Sequence, residues 1–233
     1  MIRPDAASAR AQLERLAAAG GPLGPWPIAR GAVDAASARA AAVLVLFGVL
    51  DDRPSDRAAQ ARAVSRDLDV LLLARAETLR AHAGQVAFPG GGVDPGDDGA
   101  VAAALREAQE ETGLDPAGVD VLGPLDPVPI PVSGYLVTPV LGWWTRPTVV
   151  AAVDLAESVE VFRVPVADLL DPGHRRTTVF RRDGQTWRGP GFVVSPNGRD
   201  HLVWGFTALV LDRLFDRLGW SEDWDRERTV EVN

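Results

Sequence analysis

Two apolar runs mark the first half of the chain: Ala40–Leu50, which includes one glycine, and Val70–Arg75, which ends on an arginine. Runs of this kind, without polar alternation, are typical of strands that are buried on both faces. Further strands are predicted at Val119–Val128, Tyr135–Thr145 and Val159–Val164, with hairpin arms at Thr177–Arg182 and Thr186–Val194 around Asp183-Gly184. An extended, poorly paired segment is predicted where three prolines alternate with other residues: Pro127, Pro129 and Pro131.

Helical spacing occurs near both ends of the chain. Arg3–Ala19 is rich in alanine and carries Leu13 and Leu16 on one side, which predicts a short amphipathic helix packed on the domain. The alternatives are that this helix covers a substrate cleft or a dimer seam. His201–Leu218 repeats apolar residues at helical spacing and predicts a second core helix, and Val166–Leu170 predicts a short helical turn.

Strands and helices alternate irregularly, which favours an α/β or α+β sandwich over a Rossmann sheet. A length of 233 residues suits one domain with extensions or two small domains. The predicted organisation is an N-terminal helix and Gly/Pro linker in residues 1–37, a main domain in residues 38–218 and a tail in residues 219–233. We expect the tail to be loose, with its tryptophans packed back on the domain or at a subunit contact. The second alternative corresponds to a homodimer.

Residues 92–114 predict a helix with an apolar stripe. Asp97 or Asp98 can cap its start, and Gly113 can end it. Four residues at helical spacing would then face the core: Val101, Leu105, Ala108 and Thr112.

The opposite face of this helix would carry three carboxylates, those of Glu107, Glu110 and Glu111. Like charges three or four positions apart destabilise a helix by roughly 0.2–0.5 kcal/mol per pair, and the last turn of a helix favours cations over anions. Clustered oxygen ligands of this kind suit Mg²⁺ or Mn²⁺, so the cluster is a candidate metal site. A solvated acidic face is the alternative.

Composition narrows the classes of function. A net charge of −8 and a pI of about 4.9 disfavour nonspecific binding to nucleic acid or to anionic membranes. No apolar run approaches the roughly 20 residues of a membrane span, and the N-terminus lacks a signal-peptide core. The sequence has no cysteine, which excludes disulfides, thiol catalysis and cysteine-ligated metal sites. A soluble cytoplasmic protein is therefore expected.

All 24 positively charged side chains are arginines, because the sequence contains no lysine. This excludes a Walker-type phosphate loop and a Schiff-base lysine. The planar fork of arginine can hold phosphate through two hydrogen bonds, so some arginines are candidate substrate ligands while most are expected to be solvated. The three histidines lack zinc-ligand spacing, and the absence of a Gly-x-Ser-x-Gly motif argues against that type of serine hydrolase.

The acidic segment resembles the Nudix box. The family pattern is Gly, five residues, Glu, seven residues, Arg-Glu, an aliphatic residue, any residue, Glu-Glu, any residue, Gly and an aliphatic residue. The matching positions are Gly92, Arg106-Glu107, Glu110-Glu111 and Gly113-Leu114. Ala108 is a small aliphatic, and Asp98 stands where the family has Glu; we expect Asp98 to cap the helix or orient Arg106 rather than bind metal. The resemblance covers about Ala40–Leu218 and implies a Nudix-like α/β/α sandwich with a mixed sheet.

Further motifs resemble the coenzyme A pyrophosphatase branch of this family. They are Leu72–Ala76, Arg80, Gly84, Phe88–Gly91 and, later in the chain, Trp204–Ala208. Ala74 departs from the branch, which usually has Thr at this position. The branch implies hydrolysis of the diphosphate of coenzyme A or of its thioesters.

The resemblance also implies roles for individual residues. The metal ligands would be Glu107, Glu110, Glu111 and the carbonyl of Gly91. Arg106 would orient Glu107 by a charge-assisted hydrogen bond. The general base would be a glutamate of the box or a later one, Glu157 or Glu160, of which Glu157 fits the spacing better. The candidate substrate ligands are Arg75 and Arg80, which could bind the 3′-phosphate of coenzyme A, and His82.

Three hypotheses on function follow. The first is an Mg²⁺- or Mn²⁺-dependent hydrolase of coenzyme A or acyl-coenzyme A, whose products would be 3′,5′-ADP and 4′-phosphopantetheine or its acyl form. The second is hydrolysis of ADP-ribose or another nucleoside diphosphate derivative. The third is a nucleotide-binding module without catalytic turnover. In each case the partner is a small molecule, not nucleic acid or membrane.

Overall fold

The computed structural model describes residues 4–24, 38–49, 54–76, 84–131, 133–154, 158–182 and 184–232. Its helices are α1 Pro4–Ala19, α2 Gly99–Thr112, α3 Val166–Leu170 and α4 Gly205–Leu218, with 3₁₀ turns at Pro116–Gly118 and Pro196–Gly198. Its strands are β1 Arg39–Val49, β2 Leu68–Arg75, β3 Val86–Ala87, β4 Gly90–Gly92, β5 Val119–Pro124, β6 Val128–Ile130, β7 Tyr135–Trp144, β8 Ser158–Pro165, β9 Arg175–Arg182, β10 Gln185–Val194, β11 His201–Val203 and β12 Thr229–Val232.

Eight strands form the main sheet. Strand β1 is central, parallel to β7 and antiparallel to β2 and β4. Strand β2 also pairs with β3 and β8, and β7 pairs with β5 and β6, in each case antiparallel. The sheet is therefore mixed, as predicted.

The two faces of this sheet are covered by different helices. Leu44 and Leu46 of β1 pack on one face in a cluster with the alanines of α2. Val45 and Phe47, which alternate with them, pack on the other face in a cluster with α1 and α4. This alternation is the expected result of the two-residue period of a strand. The fold is the predicted α/β/α sandwich, and α1 packs on the domain through residues that include Leu13.

A second sheet of four strands joins this core, in the order β11-β10-β9-β12. Its centre is the predicted hairpin, β9 and β10. Residues 201–203 pair with β10 instead of starting the last helix, so the prediction of a helix from His201 is wrong. Gly205, the first residue of α4, has a positive φ of 65°, so the chain changes direction there between β11 and the helix.

The tail is packed against the domain, so the prediction that it is loose is wrong, whereas Trp220 is packed back as predicted. Strand β12 runs parallel to β9. Trp220 is 1% exposed, and its indole N–H donates a hydrogen bond to the Gln12 side chain over 2.7 Å. Glu222 is also buried and accepts hydrogen bonds from Arg57 and from the backbone N–H of Gln60. Contacts thus cross both predicted domain limits, which stay predictions.

The proline-rich segment forms more structure than its sequence indicates. The predicted strand Val119–Val128 is divided into β5 and β6. Pro129 lies within β6, opposite Leu136 of β7, although it has no N–H to donate. In the described parts of the chain, no helix is long and apolar enough to cross a membrane.

Candidate active site

The C-terminal cap of helix α2 is the predicted one, but its N-terminal cap lacks the predicted hydrogen bond. Gly113 adopts the left-handed conformation, with φ 70° and ψ 13°, and its N–H donates to the carbonyl of Gln109. Asp98 occupies the N-terminal cap position, yet its exposed side chain makes no capping hydrogen bond. The expectation that Asp98 caps the helix is therefore wrong.

The buried face of α2 is rotated from the predicted stripe. The buried residues are Ala103, Ala104, Ala108, Glu111 and Thr112, whereas Val101 and Leu105 are only partly buried. Small alanine side chains let the helix approach the sheet closely. This rotation separates the three glutamates, because Glu111 lies on the buried side: its side chain is 8% exposed, against 20% for Glu107 and 58% for Glu110.

Glu111 is held by the strands beneath the helix. Its carboxylate accepts a 2.9 Å hydrogen bond from the backbone N–H of Gly90, and an Nη of Arg75 lies 3.8 Å away. Gly90 has a φ of 157°, and a Cβ at this position would lie 2.3 Å from the carbonyl oxygen of Ala42. Only glycine therefore lets β4 lie this close to β1 and present its N–H to Glu111.

The next glycine makes room for the next carboxylate. A Cβ on Gly91 would lie 2.5 Å from the side-chain carboxyl of Glu107. The backbone of Gly91 is thus in direct contact with this carboxylate. Gly91 and Glu107, both proposed ligands of one metal, are adjacent in space.

Arg106 links the helix to the turn that precedes it. Its Nη1 donates to Glu107 and to Glu110, at 3.0 Å each. Its Nε and Nη2 donate to the two carboxylate oxygens of Asp97 at 3.0 and 2.9 Å, and Nη2 also reaches the carbonyl of Gly92 at 3.1 Å. The expected contact between Arg106 and Glu107 is present, but the hydrogen-bonded acid before the helix is Asp97, not Asp98, and a carboxylate oxygen of Asp94 lies 3.6 Å from Nη2.

These contacts determine the charge states of the cluster. Burial raises the pKa of Glu107 above its ordinary value, although the hydrogen bond from Arg106 opposes this shift. The hydrogen bond with Arg106 holds the pKa of Asp97 below its usual range, and the same contact raises the pKa of the Arg106 guanidinium. Arg106 is accordingly a fixed positive charge among carboxylates.

The donor set suits a hard divalent cation. It comprises three carboxylates within five residues of α2 and the adjacent backbone of Gly91, and oxygen ligands are those that Mg²⁺ and Mn²⁺ prefer. In the conformation described, Glu107 and Glu110 face Arg106 and Glu111 faces Gly90, and no three acidic or histidine side chains of the described residues form a ready metal cluster. Coordination would require these glutamates to change side-chain conformation, which the exposure of Glu110 allows.

The remaining candidates are placed only in part. Arg75 lies beside Glu111, so its strand end does reach the acidic cluster. Arg80, His82 and Glu157 lie outside the described residues, and their roles stay predictions.

Glu160 is directed away from α2. It pairs across the sheet with Ala74, whose side chain belongs to the cluster on the opposite face. Its carboxylate accepts a hydrogen bond from Asn197 at 2.9 Å and lies 3.3 Å from His201. Of the two later candidates for the general base, the structure disfavours Glu160.

A loop that the sequence did not indicate closes the end of α2. The backbone N–H groups of Ala151 and Val153 donate to the carbonyls of Thr112 and Glu111, at 3.0 and 3.2 Å. These carbonyls are among the last four of the helix, which have no partner within it. No local signal marks the contact, because the donors lie about 40 residues after the helix.

A separate cavity of about 1580 Å³ lies beside β8 and is lined in part by Arg57, Asp168 and His174. Glu107, Glu110 and Glu111 do not line it. The donor chemistry of α2, and not the size of a cavity, therefore identifies the candidate active site.

The chain is similar in sequence to known proteins. The family model described as NUDIX domain matches residues 56–183 of this chain. An uncharacterized Nudix hydrolase, NudL, from Cronobacter sakazakii is 43% identical over 150 residues, which span 64% of this chain and 75% of the relative. The NudL of Photorhabdus laumondii is 41% identical over 145 residues, 62% of this chain and 74% of that relative.

Among solved structures, a MutT/nudix family protein from Enterococcus faecalis is 17% identical with a TM-score of 0.44, covering 78% of this chain and 62% of the other. The NUDIX match spans more than half of the chain and includes the whole of α2, the strands β2 and β4 that hold Glu111, and the turn that holds Arg106. The chain therefore belongs to the Nudix family.

Proposed function

We propose that this protein hydrolyses the diphosphate of coenzyme A or acyl-coenzyme A, releasing 3′,5′-ADP and 4′-phosphopantetheine or its acyl form. The observation that carries the proposal is the position of the segments that resemble the coenzyme A branch. Arg75, from Leu72–Ala76, and Gly90, from Phe88–Gly91, both lie against Glu111. The segments that suggest the substrate thus meet the carboxylate that is proposed to bind the metal.

Hydrolysis breaks one P–O bond of the diphosphate bridge, and a water oxygen forms the new bond to that phosphorus. A bound Mg²⁺ or Mn²⁺, held by Glu107, Glu110, Glu111 and the Gly91 carbonyl, would neutralise the negative charge of the diphosphate. Nudix hydrolases generally need divalent cations of this kind.

The protein groups have separate tasks in this reaction. Arg75 adds positive charge beside Glu111, where the diphosphate would lie, and can stabilise the departing phosphate. Arg106 has its donors occupied by carboxylates and the Gly92 carbonyl, so it orients Glu107 and Glu110 instead of contacting substrate. The proton of the attacking water passes to a glutamate of the box or to Glu157.

A comparison of substrates tests the proposal. We expect kcat/KM for coenzyme A to exceed that for 3′-dephospho-coenzyme A by about tenfold or more, because one charge-assisted contact to the 3′-phosphate is worth roughly 1.5–3 kcal/mol. Because Arg75 lies 3.8 Å from Glu111, we propose that it faces the diphosphate and not the 3′-phosphate for which the sequence suggested it. Arg75→Ala should then lower kcat/KM for both substrates, whereas Arg188→Ala on the exposed hairpin should change neither. Equal values for the two substrates, or faster cleavage of ADP-ribose, would favour the hydrolase of another nucleoside diphosphate; binding without turnover would favour the non-catalytic module.

Gly91→Ala should lower kcat by about tenfold or more and leave the fold intact. The added Cβ would collide with the Glu107 carboxylate, which is the flexible end of a side chain and can move, but only out of its position beside Gly91. Gly92→Ala is the matched control, because a Cβ there meets no atom within 4 Å. Steady-state kinetics and thermal melting of both variants give the comparison, and equal losses of kcat would contradict the contact.

A further inference from the structure

The guanidinium of Arg106 is held from two sides. Nη1 donates to the glutamates of α2, Glu107 and Glu110. Nε and Nη2 donate in parallel to both oxygens of Asp97, a paired geometry that fixes the plane of the guanidinium as well as its position. The Asp97 side chain is only 7% exposed, although it precedes the helix.

Asp97 is itself fixed in the turn before α2. Its Oδ2 accepts a hydrogen bond from the backbone N–H of Asp94 at 2.8 Å, and its own N–H donates to the carbonyl of Asp94 at 3.0 Å. Its carboxylate therefore has little freedom to move. Asp98, the next residue, is exposed and makes no capping hydrogen bond, even though it occupies the acidic position of the Nudix pattern.

We propose that Asp97 is the positioning residue of this active site: it anchors Arg106, and through Arg106 it holds Glu107 and Glu110, while Asp98 has no part in this. The inference rests on the proposed function, because it takes these glutamates as metal ligands. The arrangement has a consequence for metal binding. When one oxygen of Glu107 or Glu110 turns towards a cation, the other oxygen can stay on Nη1, so the anchored guanidinium keeps both carboxylates in position.

Manganese titration of Asp97→Asn and Asp98→Asn tests the proposal without substrate. Each variant removes one negative charge, and the two substituted residues are neighbours in the sequence. The effect of net charge on cation binding is therefore nearly the same in both variants. Isothermal titration calorimetry should show that Asp97→Asn raises the Kd for Mn²⁺ by about tenfold, which is the lower end of the range for residues that hydrogen-bond to metal ligands. The Kd of Asp98→Asn should stay within about twofold of the value for the parent protein. Arg106→Lys, which keeps the charge and loses the paired geometry, should weaken Mn²⁺ binding as Asp97→Asn does.

Kinetics and melting separate positioning from a purely structural role. Asp97→Asn should also lower kcat on the best substrate of the panel by about tenfold, with a smaller change in KM. A lower melting temperature with unchanged Mn²⁺ Kd and kcat would overturn the proposal, as would equal effects of the two substitutions. If Asp97→Asn does not fold, Arg106→Lys carries the test, and an unchanged Mn²⁺ Kd in that variant would reject the anchor. Failure of coenzyme A as a substrate would overturn the proposed function and leave the metal titration to decide on Asp97.

Discussion

Glu111→Gln is expected to lower kcat by at least about a hundredfold, which corresponds to roughly 2.7 kcal/mol of transition-state stabilisation. Glutamine keeps the shape of the side chain but removes the negative charge that a divalent cation needs from its ligand. Removal of divalent cations with a chelator should lower kcat of the parent protein by a similar factor. The measurement is steady-state kinetics with saturating Mg²⁺ or Mn²⁺.

The stability of the same variant gives a second test. Relief of repulsion between glutamates would leave the metal-free protein unchanged or slightly more stable. The structure gives the opposite expectation for Glu111, because its buried carboxylate accepts the Gly90 N–H and faces Arg75. Thermal melting without metal should therefore show a lower Tm for Glu111→Gln than for Glu110→Gln, whose side chain is 58% exposed. Full activity of a Glu107→Gln, Glu111→Gln double variant would remove the basis for the metal site.

Trp220→Ala should lower the free energy of unfolding by roughly 3–5 kcal/mol, as expected for loss of a fully buried aromatic side chain. Trp220 packs edge-on against Phe47 of the main sheet, stacks on Phe215 of α4 and donates a hydrogen bond to Gln12 of α1. For a chain of this length, about 2–4 °C of Tm is lost per kcal/mol. Chemical denaturation and thermal melting both measure the effect.

Trp187→Ala is the matched control for this substitution. Trp187 is only partly buried and contacts Phe180 on the exposed hairpin, so its loss should cost much less. Equal destabilisation by the two variants would show that the tail contributes no more to the core than the hairpin does.

The sequence predicted the elements whose signals are local. Strands β1 and β2 follow from apolar runs, the β9–β10 hairpin from Asp183-Gly184, and the end of α2 from Gly113. Each of these signals acts within a few residues, where steric and hydrogen-bonding preferences decide the structure. The acidic motif likewise located the candidate site, because its spacing lies within a single helix.

The face of α2 that is buried could not be read from its own residues. Glu111 is accommodated on the buried side because Gly90, 21 positions earlier, supplies an N–H, and because Arg75, at the end of β2, lies 3.8 Å away. When such partners are unknown, the helical spacing of apolar residues places every charged residue on the solvent side. The choice between Asp97 and Asp98 depended in the same way on where the Arg106 side chain lies.

The outer strand β12 of the second sheet, which lies in the tail, was missed for a related reason. Strand β12 is four residues long and pairs with β9, about 50 positions earlier. Its sequence, Thr-Val-Glu-Val, alternates as an edge strand does but is too short to distinguish from a loop. Tertiary contacts, and not propensity, determine its structure.

The contact between α1 and Trp220 has a consequence for the order in which this protein is made. Leu13 belongs to the same buried cluster as Leu214 and Trp220, so the surroundings of α1 are complete only when residues about 200 positions later have left the ribosome. At roughly 5–20 residues per second, synthesis of that stretch takes about 10–40 seconds. During the last part of this interval α1 can pack on β5 but lacks its contacts with α4 and Trp220. The protease resistance of α1 in stalled chains of increasing length should therefore reach its full value only when residue 220 has emerged.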